Sequence, residues 1–75
     1  MLGKLIKYMR KNKNLSQEEL SNLLCIERST LSGYETERRE ISFNTVLDIA
    51  NACGYKIIFK NDKEEFEIKD ILRKD

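Results

Sequence analysis

Residues Leu15 to Glu35, LSQEELSNLLCIERSTLSGYE, decide the fold. Ser16 is placed to cap a helix, because its hydroxyl accepts from a free backbone N–H of the first turn. Glu19, three residues on, reaches back to the N–H of Ser16 and completes a capping box, with Leu15 and Leu20 at the staple positions. Leu20, Leu23 and Leu24 continue an apolar face at helical spacing. A second start follows at once, with Ile26 and Leu31 as a staple around Glu27. The spacing predicts helices over 17–24 and 28–35 joined by a tight turn. In the second of them only Leu31 and part of Tyr34 turn inward, which leaves Arg28, Ser29, Ser32 and Gly33 on the outer face. Such a helix is a poor core element. It makes sense as one held by a scaffold and pressed against something else.

Upstream, residues 2–12 read as a helix. Leu2, Leu5, Ile6 and Met9 form an inward stripe, Lys4, Lys7 and Lys11 face out, and Asn12 to Asn14 make the closing turn. Downstream, residues 36–41 (TERREI) are a loop in which Ile41 plugs the core. Ser42 caps a helix over 43–53, with an inward stripe of Val46, Ile49, Ala50 and Cys53, and Gly54 follows its end. The texture then changes. YKIIFK, residues 55–60, is β-branched and aromatic, and Phe66 and Ile68 alternate with charged neighbours over 65–69. A β-hairpin with a polar turn at Asn61 to Glu64 is expected, and residues 70–75 read as a frayed or disordered end. The fold class is mainly α with a C-terminal hairpin. Its organisation is a helical domain over 1–54 and an extension over 55–75. An isolated hairpin is marginal in water, so this one packs either on its own helices or on the same hairpin of a second chain. In the second case Tyr55, Ile57, Ile58, Phe59, Phe66 and Ile68 are the dimerisation residues.

Seventy-five residues make one domain with a small core. The absence of any histidine or glycine-rich phosphate loop, and of any carboxylate cluster with a cleft, argues against an enzyme. Cys25 and Cys53 have no partners at ligand spacing, so no metal or cofactor is expected. No apolar run approaches a membrane span and no signal pattern opens the chain, which predicts a cytoplasmic protein without membrane contact. The net charge of +1 does not announce nucleic acid, yet its distribution is uneven. Residues 1–13 carry Lys4, Lys7, Arg10, Lys11 and Lys13 without an acid, whereas 14–37 carry Glu18, Glu19, Glu27, Glu35 and Glu37 against Arg28. The basic helix is either a solvated face or a rim for phosphates.

Leu15 through Leu20, then Ile26, Arg28 to Ser32, Tyr34 and Glu35 together resemble the helix-turn-helix of the phage repressor and Cro-type proteins, the XRE family, and the likeness extends over residues 2–55. It implies a five-helix-type repressor-like domain that binds double-stranded DNA as a homodimer, its second motif helix lying in the major groove with N-terminal side chains at base edges. Carried over residue by residue, it implies base reading by Arg28, Ser29, Ser32 and Glu27. It implies phosphate contacts by Gln17, Thr36, Arg38, Arg39 and Asn44, and an ion pair between Arg10 and Glu35. Arg28 is suited to a bidentate guanine contact but serves equally as a phosphate clamp. Glu27 either accepts from a cytosine amino group or repels phosphates. The chain departs from the family at Cys25 and Glu37, where glycine is usual, at Ile41 in place of proline, at Glu27 in place of a Ser or Thr cap, and at Gly33, where a larger side chain commonly reaches DNA. The hairpin resembles strand extensions that pair across the dimer in antitoxin repressors, so a toxin or antagonist protein is a further candidate partner.

Overall fold

The computed structural model describes residues 1–72, within which five helices and one hairpin follow in order: α1 (Leu2–Asn12), α2 (Gln17–Leu24), α3 (Arg28–Glu35), α4 (Phe43–Ala52), β1 (Ile58–Lys60), β2 (Glu65–Glu67) and α5 (Ile68–Leu72). Of the frayed or disordered end expected over 70–75, residues 70–72 instead complete α5, and 73–75 lie outside the described residues. No helix among those described is long and apolar enough to cross a membrane.

α1 buries Gly3, Ile6, Met9 and Arg10. Leu2 and Leu5, expected to face inward, are instead 41% and 45% exposed. The cause is a close approach at Gly3, where a Cβ would collide with the carbonyl oxygen of Glu35 at the end of α3. Seating Gly3 on α3 and burying Arg10 two turns on along the same face rotates the helix, so that Ile6 and Met9 keep their places and Leu2 and Leu5 turn out.

α2 begins with the full capping box. The Ser16 hydroxyl accepts from the Glu19 N–H at 3.0 Å, and the Glu19 carboxylate accepts from the Ser16 N–H at 2.8 Å. The Ser16 backbone N–H, and after it the Ser16 hydroxyl, hold the Glu19 carboxyl below its ordinary range. The helix stops at Cys25, whose φ of 58° is left-handed, and Ile26 N–H closes the end on the Ser21 carbonyl at 3.0 Å. An L-residue in this conformation costs about 1–2 kcal/mol, and the Cys25 side chain is exposed, so it gains no packing in return. Cys25→Gly is therefore expected to raise stability by about 0.5–1 kcal/mol after glycine's greater chain entropy is deducted, seen as a rise of several degrees in Tm. A lower Tm would show that Cys25 is not strained. Glu37 is also left-handed, at φ 62°. Its carboxylate takes the N-terminal ammonium of Met1.

Ile6, Met9, Leu20, Leu31, Ile49, Ala50 and Cys53 form one core between α1, α2, α3 and α4, with Leu15, Leu24, Ile26, Tyr34, Ile41, Tyr55 and Ile57 packed around it. Leu31 is fully buried, the anchor by which α3 is held. α4 is capped by Ser42, whose hydroxyl accepts from Thr45 N–H at 3.2 Å. It ends at Ala52, with Gly54 at φ 81° beyond it. Burial pushes the Cys53 thiol up.

The hairpin is shorter than its sequence suggests. Tyr55 donates its N–H to the Ala50 carbonyl at 2.8 Å to close α4, and Tyr55 and Ile57 pack on the helical core. Pairing therefore starts only at Ile58. The register is Ile58 with Glu67, Phe59 with Phe66 and Lys60 with Glu65, and the Asn61 side chain accepts from the N–H groups of Lys63 and Glu64 at 2.8 Å to shape the turn. Ile68, expected in the second strand, donates its N–H to Ile57 at 3.0 Å and opens α5, because Ile68, Ile71 and Leu72 share a helical face. The two strands contact chiefly each other and α5.

Candidate nucleic-acid interface

α3 is fixed to the scaffold by a buried ion pair. Arg10 Nε donates to Glu35 Oε2 at 2.6 Å and Arg10 Nη2 to Glu35 Oε1 at 3.0 Å, a bidentate fork. The two side chains are 9% and 3% exposed. Arg10 Nη1 also donates to the Leu15 carbonyl at 2.8 Å, so the guanidinium ties α1 to both the start of α2 and the end of α3. Burial opposes the charge on Glu35, but hydrogen bonds from Arg10 and Gln17 and the attraction of Arg10 and Lys7 outweigh it and hold the carboxyl below its ordinary range. Its hydrogen bond to Glu35 in turn raises Arg10.

Gln17 extends this network. Its Nε2 donates to Glu35 Oε1 at 3.1 Å, and its Oε1 faces Arg28 Nη1 at 3.5 Å. One amide hydrogen of Gln17 is thus committed inward to Glu35. Arg28, at the first turn of α3, lies beside a side chain that is itself anchored through Glu35 to Arg10. Arg28, Ser29 and Glu27 are exposed and Ser32 is half-buried. Glu27 makes no side-chain cap to α3. Instead Ser29 Oγ lies 3.5 Å from its carboxylate, which places an acid beside the serine on the outer face.

The loop after α3 is organised by Thr36. Its hydroxyl donates to the Ser32 carbonyl at 2.9 Å and accepts from Arg38 Nε at 3.2 Å. The hydroxyl proton is therefore spent within the helix end, and Thr36 holds Arg38 instead of offering a donor of its own. Asn44 is exposed in the first turn of α4. Gly33, expected on the outer face, is buried. Arg39 lies across it, so that a Cβ on Gly33 would stand 2.9 Å from Arg39 Cδ and 3.0 Å from Cγ. Reasoning from sequence missed both this contact and the one at Gly3. A glycine interrupting a helical pattern was the available signal in each case.

Of the residues expected to join two chains, Tyr55 and Ile57 are half-buried on the chain's own core, and Asn12 donates to the Tyr55 hydroxyl at 3.0 Å. Ile58 and Phe59 remain exposed, as do Ile71 and Leu72 of α5 and Leu2, Leu5 and Tyr8 of α1. Phe59 and Phe66 stack with ring centroids 5.7 Å apart. Among the described residues no group of His, Cys, Asp and Glu side chains is arranged to hold a metal ion.

A family model described as helix-turn-helix matches residues 6–59. No curated protein matches the chain.

Proposed function

The chain belongs to the helix-turn-helix family of DNA-binding transcription regulators, and from that premise we propose that it is a repressor that occupies an inverted-repeat operator as a homodimer. The observation that carries this reading is α3 itself. One fully buried leucine and one buried ion pair hold the helix, while Arg28, Ser29 and Ser32 stand where a groove would meet them. Arg28 reads guanine O6 and N7 bidentately. Arg38, the free amide hydrogen of Gln17 and Asn44 grip phosphates and set the register without reading sequence. The exposed apolar side chains of β1 and α5 support a second copy as the dimer partner, which places two copies of α3 in successive major grooves about 34–36 Å apart. Repression follows from occupying the operator.

Selection from random-sequence DNA at two salt concentrations tests this. The expected product is an inverted repeat with half-sites about one helical turn apart and an affinity that falls with salt. Failure to retain DNA at low salt would turn the reading towards a protein partner of the hairpin. The division of labour is tested by two variants. Arg28→Ala is expected to weaken cognate binding by about 1–3 kcal/mol and leave random DNA nearly unaffected. Arg38→Ala is expected to weaken both alike and reduce the salt slope by about 1. Equal losses on cognate and random DNA from both variants would contradict it.

A further inference from the structure

Gly33 lies about 200° round α3 from the buried Leu31, at 3.6 residues per turn, on the side away from the core. A glycine there should be open to solvent, yet it is buried. What covers it is the stem of Arg39, whose Cβ, Cγ and Cδ pass 3.5, 3.0 and 2.9 Å from where a Gly33 side chain would begin. The placement is not accidental. The Gly33 carbonyl accepts from the N–H groups of Arg38 at 3.0 Å and Arg39 at 3.2 Å, which pins the Arg39 backbone beside the notch. Among the described residues Arg39 forms no ion pair, so its guanidinium is not consumed by the protein.

We propose that Arg39 reads a base edge from the notch left by Gly33, acting as a specificity-determining side chain of α3 although it belongs to the loop. The proposal rests on the DNA-binding reading above and replaces the expectation of a phosphate contact for Arg39. The chemistry is the planar fork of an arginine against guanine O6 and N7. The packed stem restricts the side chain before DNA arrives, so less rotamer freedom is lost on binding. The absence of a side chain at position 33 and the presence of a long one at 39 are then one device. The outer face keeps its reach at that point, but the reach comes from the loop.

The test compares the base preferences of wild type, Arg39→Ala, Arg39→Lys and Gly33→Ala, each selected on random DNA and titrated at two salt concentrations. Arg39→Ala is expected to flatten the preference at one base pair of each half-site, on the order of tenfold, and to spare the others. Arg39→Lys keeps the charge and hence the salt slope, but loses the same preference, since lysine lacks the fork. Gly33→Ala is the variant that separates binding from folding. Alanine outranks glycine inside a helix, so Tm should stay level or rise, while the new Cβ displaces the Arg39 stem and removes the same preference. If Arg39→Ala and Gly33→Ala keep the full preference profile and affinity falls evenly on all sequences, Arg39 is a phosphate contact and the proposal is overturned. If wild type itself retains no DNA at low salt, the DNA-binding reading fails and the proposal goes with it.

Discussion

Glu35→Ala lowers stability by about 3–5 kcal/mol, because it leaves the Arg10 guanidinium buried without its counter-charge. In a domain of this size that is around half of the total, given roughly 0.05–0.15 kcal/mol per residue. Urea denaturation followed by circular dichroism measures it. The variant should be largely unfolded at 37 °C or melt far below wild type. A loss under about 1 kcal/mol would mean that the pair behaves as an exposed, screened one, which the 2.6 Å bond and the 3% exposure of the Glu35 side chain argue against. Replacing both partners, as in Arg10→Met with Glu35→Leu, should restore much of the stability, since a well-packed apolar pair of similar volume serves as well as a buried ion pair. Only the intact pair, however, anchors Gln17 beside Arg28, so the restored variant should fold yet bind the operator less selectively. The same carboxylate sets a pH dependence. Its folded pKa lies below its unfolded value, so the native state binds fewer protons between the two. That contribution is fully present above the ordinary glutamate pKa of about 4.3 and is lost as pH falls through the depressed folded value. Glu19, also depressed, acts in the same direction, and acidification below about pH 4 should loosen α2 and α3 together.

What was legible in the sequence was what local chemistry decides alone. Ser16 and Glu19 have one good use at their spacing, so the capping box and the start of α2 follow from them. Position 25 was marked by the family resemblance, where glycine is usual, and Cys25 takes the left-handed conformation there without being one. The face of α1 was not legible, because Leu2 and Leu5 satisfy helical spacing as well as Gly3 and Arg10 do. The choice between the faces is made by α3, through a backbone approach that only Gly3 permits. The strand boundaries failed for a similar reason. Tyr55 and Ile57 have strand chemistry, but the end of α4 and the core claim them first, and Ile68 fits an alternating strand and a helical turn equally well. On α3, helical spacing around Leu31 sufficed to turn Arg28 and Ser29 outward. The positions of Arg39 over Gly33 and of Thr36 beneath Arg38 depend on how the loop folds back, which no local pattern encodes.

The hairpin gives the largest expected effect on binding. A two-stranded sheet is marginal by itself, and this one meets the rest of its chain mainly through α5, yet Ile58 and Phe59 are exposed, as are Ile71 and Leu72 of α5. These exposed apolar side chains on so small an extension are accounted for if a second copy covers them, by adding strands at the free edges or by packing face to face. Phe59→Asp places a charge in that surface and removes the stack with Phe66, while leaving the core of α1 to α4 untouched. The variant should keep its helical circular dichroism, sediment as a monomer, and lose about 10²–10⁴-fold in operator affinity, the advantage that linking two half-site contacts supplies. Affinity for an isolated half-site should change little, which distinguishes lost dimerisation from a damaged α3. A Phe59→Asp protein that still sediments as a dimer would move the interface to the apolar side chains of α1, where Leu5 and Tyr8 are the exposed candidates. A monomer with undiminished operator affinity would remove the homodimer from the mechanism, because one copy of α3 would then supply all the binding.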